Sequence, residues 1–111
     1  MKMKELNSKY YKINTPNGFL HIHIDYNDKK EIQEVFCRIA PLGTEISNLT
    51  AMLGVFLSES IKRGLDMEKA IRHLNTSKSN RRIITEEGNN IETIEQAVAL
   101  VLLDFKKNVM I

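Results

Sequence analysis

The chain has no tryptophan, one cysteine, two prolines and five glycines in 111 residues, and no long apolar run. Each shortage excludes something. A single thiol, Cys37, cannot close an internal disulfide, and in an apolar stretch it reads as a small core residue. The longest apolar run, AVALVLL at 97–103, falls far short of the roughly 20 residues that span a bilayer. MKMKELNSK at the start carries charge with no apolar segment after it, which is not the pattern of a secretory signal and sets the expectation of a cytoplasmic location. A net charge of +2 is too small for the strongly basic face that a nucleic acid duplex demands, yet it leaves room for a small anionic ligand. Also missing are a GxxxxGK phosphate loop, a legible Ser-His-Asp or Cys-His set, and a carboxylate pair placed for acid–base work. Binding is therefore expected rather than catalysis, with no cofactor.

What is present suits one small α+β domain over residues 9–111, after a patternless polar stretch at 1–8 that is expected to fray. KYYKINT alternates from Lys9, Pro16-Asn17-Gly18 signals a turn, and FLHIHIDY at 19–26 sets Leu20, Ile22, Ile24 and Tyr26 against Phe19, His21, His23 and Asp25. After the turn at 27–30, EIQEVFCRI sets Val35, Cys37 and Ile39 against Phe36 and Arg38. Three strands joined by short turns predict an antiparallel meander with one apolar face that needs a cover.

Gly43 to Leu74 predicts a helix pair, and the pair is expected to supply that cover. Thr44 reads as the first N-cap, and Ile46, Leu49, Leu53, Phe56 and Leu57 recur at helical spacing. Gly64 stands where a left-handed residue would end the helix, and Asp66 caps a second helix bearing Ala70, Ile71 and Leu74. Ser47, Ala51, Gly54 and Ser58 form a second stripe, of small residues. Glycine inside a helix costs about 1 kcal/mol against alanine, which argues for close approach of another backbone or a ligand at Gly54. Residues 75–90 have no period, and Ile83 and Ile84 offer a short extended anchor there. TIEQAVALVLLDFKK opens with Thr93 and Gln96 in capping-box spacing and is apolar on nearly every side. So small a domain is not expected to bury such a helix alone, so it is placed at an interface between subunits of a homo-oligomer.

Taken together, Tyr10, Lys12, Phe19, His21, His23, Phe36 and Arg38 share the less apolar face of the predicted sheet. Aromatic faces for a base and cations for phosphate are what a nucleotide needs, and a subunit interface would use the same residues. His21 and His23 also have the spacing to share a metal, but only Asp25 continues the row, and a zinc site needs a third and usually a fourth ligand. A second anion candidate joins the basic loop residues Lys78, Arg81 and Arg82 to the free amides at Gly43 and Thr44. The expected ligand-binding set is thus Tyr10, Phe19, His21, His23, Phe36, Arg38, Gly43, Thr44, Lys78, Arg81 and Arg82.

The order of motifs resembles the TSCPD domain of adenosylcobalamin-dependent ribonucleotide reductases and its free-standing relatives. YYKINTPNGFLHIHIDY is similar to that family's first hairpin, EVFCRIAPLGTE to its third strand and glycine turn, LGVFLSESIKRGLDMEKAIRHL to its helix pair, and IETIEQAVALVL holds the place of its naming segment. The family's cysteines are replaced here by Asn75-Thr76-Ser77-Lys78-Ser79-Asn80 and Glu92-Thr93-Ile94-Glu95-Gln96, so the resemblance implies a scaffold and no redox or metal role. In size and layout the chain also resembles phage proteins that sequester cyclic ADP-ribose-type and cyclic oligonucleotide signals of bacterial immunity. Together these set the expectation of a noncatalytic, oligomeric binding protein for a nucleotide-like anion. The alternative expectation is an interaction module that docks on a ribonucleotide reductase.

Overall fold

A computed structural model describes residues 6–111. Strands β1 (Asn7–Thr15), β2 (Gly18–Tyr26) and β3 (Ile32–Ile39) form an antiparallel sheet in that order. Residues 1–5 of the stretch expected to fray lie outside the description, but Asn7 and Ser8 already pair with Tyr26 and Asp25. The first turn is the two residues Pro16-Asn17, and Gly18 has φ +112°, a value open to glycine but not to most side chains. At the second, Asn27 accepts at Oδ1 from the amides of Lys29 and Glu31, and its own amide and carbonyl pair with the Glu31 carbonyl and the Lys30 amide, so side chain and main chain close the turn together.

The alternation holds. Leu20, Ile22, Ile24, Val35, Cys37 and Ile39 are buried on the inner face. Helices α1 (Glu45–Lys62), α2 (Met67–Leu74) and α3 (Ile94–Asn108) follow, with a two-residue-per-strand hairpin, β4 (Ile83–Ile84) and β5 (Asn90–Ile91), between the last two. The predicted caps are present: Thr44 accepts from the Ser47 amide, Asp66 from Glu68, Thr93 from Gln96, and Gly64 takes φ +99°. The Gln96 side chain reaches back to the Glu92 amide at 2.9 Å, so the opening of α3 is tied from both sides.

The helices are arranged differently from the expectation. The cover of the sheet is α3, which packs on β1 and β2, while α2 packs on α3 and α1 packs on β3. Ala97, Val98, Ala99, Val101, Leu102 and Phe105 of α3 are all buried within one chain, and Phe105 meets Tyr26 edge to face at 5.3 Å between ring centres. No second subunit is needed to bury this helix. Two sides of α3 face the sheet and α2, and a third closes on the β5 segment at Ile91.

Helix α1 runs along the free edge of β3, with Ser47, Gly54 and Ser58 of its small stripe inward and Ala51 exposed. A methyl group on Gly54 would lie 2.8 Å from the Val35 carbonyl and 3.0 Å from the Cys37 amide, so the two backbones touch. Ser58, buried, accepts from the Val35 amide at 2.7 Å and lies 3.1 Å from the Val35 carbonyl and 2.8 Å from that of Gly54, either of which can take its proton. An edge strand's unpaired groups are a template for aggregation, and here a helix seals them. Most of the large apolar stripe expected to pack inward consequently turns out: Ile46, Leu49 and Phe56 are exposed, while Leu57 is buried and Leu53 packs half-buried against the core.

Candidate functional site

Register decides which side chains meet on the outer face. Lys12, His21 and Arg38 stand opposite one another across the three strands, and so do Tyr10, His23 and Phe36 in the next row and Ser8, Asp25 and Glu34 beyond. Phe19 stands beside Asn14 on the other side of the cationic row, next to the Pro16-Asn17 turn. The face is therefore polarised along the strands: amines and guanidinium lie toward the β1–β2 turn, and carboxylates lie toward the opposite end. Lys62 from α1 engages Glu34 at 3.0 Å, which neutralises part of the acidic end.

Side-chain contacts organise the row further. Tyr10 stacks on His21, with ring centres 5.8 Å apart and planes 13° from parallel, and tilts over His23 at 4.8 Å. Its hydroxyl is hydrogen-bonded to Nδ1 of His21, with the tautomer of the ring setting which of the two donates. Lys12 holds its ammonium 4.5 Å from the centre of the Phe19 ring. Loss of hydration, then the charges of Arg38 and Lys12 and the neighbouring His23, lower the pKa of His21. The neutral ring is therefore favoured beside these two cations. Tyr10, Phe19 and Phe36 each remain about half exposed, which leaves a flat aromatic and cationic surface rather than an enclosed pocket.

Of the expected binding residues, Tyr10, Phe19, His21, His23, Phe36 and Arg38 are brought together on this face. The second group lies elsewhere. Arg81 donates to the Pro16 carbonyl at the β1–β2 turn, which brings the basic loop to the same end of the sheet as Lys12 and Arg38. Lys78 and Arg82 are exposed and form no ion pair among the described residues. Gly43 precedes Thr44, whose hydroxyl donates to the Pro41 carbonyl and accepts from the Ser47 amide. An anion at that helix start would compete with Thr44 for an amide and would meet the carboxylate of Glu45 in the first turn.

Among the described residues, no three His, Cys, Asp or Glu side chains are gathered around one point for a metal ion. Cys37 is buried, and burial pushes its thiol up to about 12, so it has no thiolate to offer at neutral pH.

A cleft of about 690 Å³ that the sequence did not suggest opens between β1, the β4–β5 hairpin and α3. Its walls mix Lys9 and Lys12 with Glu86, Glu87 and Asp104. Asp104 accepts from the Tyr11 hydroxyl at 2.7 Å and pairs with Lys9 at 3.7 Å. Burial, then this carboxylate, raise the pKa of Tyr11. Three carboxylates on the wall oppose a polyanion, so the cleft suits a phosphate-bearing ligand less well than the outer face does. The only sequence signal for it was an acid at the end of an apolar helix; that Asp104 meets Tyr11 across the whole chain length is a matter of packing.

No family model matches the chain, and comparisons with curated proteins and with solved structures found no match either. No helix among the described residues is long and apolar enough to cross a membrane.

Proposed function

We propose that this protein binds a nucleotide-like anionic small molecule on the outer face of its sheet and sequesters it without chemical change, as a signalling nucleotide would be sequestered. The observation that carries the reading is the cross-strand row Lys12, His21 and Arg38, flanked on the same face by the half-exposed rings of Tyr10, Phe19 and Phe36. Arg38 supplies a planar fork for phosphate oxygens, and Lys12 a point charge beside it. Phe36 and Tyr10 offer the flat surfaces on which a base stacks. Arg81, tied to the Pro16 carbonyl, adds positive charge at the same end of the sheet.

The resemblance to phage proteins that sequester cyclic ADP-ribose-type and cyclic oligonucleotide signals belongs to this proposal, as does a location in the cytoplasm. So does the scaffold likeness to the TSCPD domain. Native mass spectrometry of freshly purified protein, followed by heat release and analysis of whatever is bound, tests the reading. A nucleotide-sized adduct recovered unchanged after long incubation supports it. Consumption of the nucleotide overturns sequestration. Arg38→Ala that binds an adenine nucleotide as well as the native protein overturns the placement.

A further inference from the structure

Helix α1, with Leu42 just before it, exposes an apolar surface that nothing among the described residues covers. Leu42 is 75% exposed, Phe56 65% and Leu49 60%, and Ile46, Met52 and Val55 are each exposed as well. With roughly 150 Å² or more for a phenylalanine and less for each aliphatic side chain, the six leave on the order of 500 Å² of apolar surface open. That lies toward the upper end of the largest patch on a typical monomer, about 300–600 Å². It is more than half of the roughly 800 Å² that each partner contributes to a standard interface, and the polar rim supplies the remainder. The opposite face of the same helix packs on β3, so these side chains have no alternative partner among the described residues.

We infer that a second copy of this chain covers the patch, with the two α1 helices packed antiparallel about a two-fold axis. The charges flanking the patch identify the occupant. Glu45, Leu49, Met52, Phe56, Glu59 and Arg63 lie along one line of α1 and just beyond it, three or four residues apart. Glu45 and Arg63 are exposed at the two ends and form no ion pair among the described residues. Laid antiparallel on itself, this line sets Glu45 against Arg63 of the partner subunit and Met52 against Phe56 of the partner subunit. The pairing is self-complementary, as a two-fold contact requires, and the opposed helix dipoles add to it. Glu59 falls opposite Leu49, with its charge already drawn to Lys62 of its own chain at 3.4 Å. A parallel arrangement would instead put acid on acid at one end and base on base at the other.

The geometry has a further result. Because α1 lies at the sheet's edge and its apolar side points away from β3, an antiparallel contact puts the two-fold axis across the plane of the sheets. Both outer faces, each with its Lys12, His21 and Arg38 row, then look the same way. This inference stands without the ligand reading, since it rests on α1 alone.

Sedimentation velocity of the native protein across a wide dilution series is expected to show twice the 12.8 kDa mass of one chain. Phe56→Glu and Leu49→Lys change exposed positions, so each is expected to keep the native circular dichroism spectrum and sediment as a monomer. Glu45→Arg is expected to raise the dimer dissociation constant roughly tenfold or more, because it opposes like charges. The double exchange Glu45→Arg with Arg63→Glu is expected to restore it. A native protein that is monomeric throughout overturns the inference, including the case in which it retains an unrelated protein on this surface. A dimer indifferent to Phe56→Glu overturns it too, and failure of the double exchange to restore the dimer overturns the antiparallel pairing.

Discussion

Gly54 and Ser58 show how much one atom matters where two backbones touch. Alanine at 54 would press its methyl to 2.8 Å from the Val35 carbonyl, and that atom belongs to backbone and cannot swing aside. Gly54→Ala is expected to destabilise the fold by about 1–3 kcal/mol despite its better helix propensity, which thermal melting would read as a drop of several degrees. Ser58→Ala removes the acceptor of a buried amide and is expected to cost about 1–3 kcal/mol. If either variant melts as the native protein does, α1 does not seal β3. Cys37 gives a different residue-scale test. With its thiol pushed up to about 12 from an ordinary 9.0, alkylation of the folded protein at mildly alkaline pH is expected to be about three orders of magnitude slower than of the unfolded chain. Rapid labelling before unfolding would contradict its burial.

His21 couples the outer face to pH. Its folded pKa lies below the ordinary 6.5, so the neutral ring's contribution to stability is complete above that value and is lost as pH falls toward the lowered pKa. A bound anion reverses the sign. It offsets the repulsion from Arg38 and Lys12, favours the protonated ring, and so draws a proton in on binding. Affinity for an adenine nucleotide is therefore expected to rise severalfold as pH is lowered from about 8 to about 6, and His21→Gln is expected to flatten that dependence. A titration by calorimetry in buffers of different ionisation heat would detect the proton directly.

At the scale of elements, α1 carries two stripes and only one could face inward. The sequence contained both, and the large apolar stripe was the natural choice for a core because burial of big side chains is the usual driving force. Ser47, Gly54 and Ser58 of the small stripe won, though not Ala51, because β3 needed its edge closed and a helix approaches a strand's edge closely only where side chains are short. Gly54 hinted at this, and its expected close approach to a backbone was met, but nothing local distinguished an edge from a face. The strands and their outer row, by contrast, were legible residue by residue, since a period of two assigns faces directly. The site's six sheet residues came from that alternation. The basic loop did not join them on the face, because the loop's course is set by Arg81 at the β1–β2 turn and by Ser77 and Glu95 at the start of α3, contacts between distant segments without local signature.

Across the whole molecule, α3 carries the core. Phe105 is fully buried between helix and sheet, and Phe105→Ala is expected to cost about 3–5 kcal/mol. A domain of this kind has a total stability of about 5–15 kcal/mol, so the variant's urea midpoint should fall far below that of the native protein. An unchanged midpoint would mean that α3 is not the core's centre.

Synthesis gives this arrangement a direction in time. The three strands leave the ribosome first, and α1, the helix that closes the β3 edge, comes next. The helix that covers the inner face of the sheet is made only after all of them. Until α3 emerges, Leu20, Ile22 and Ile24 have no roof, so the nascent meander is a sticky surface with one guarded edge. Chaperone dependence should therefore concentrate on the interval before α3 is complete, and slowing translation within α3 should lengthen that interval and increase aggregation.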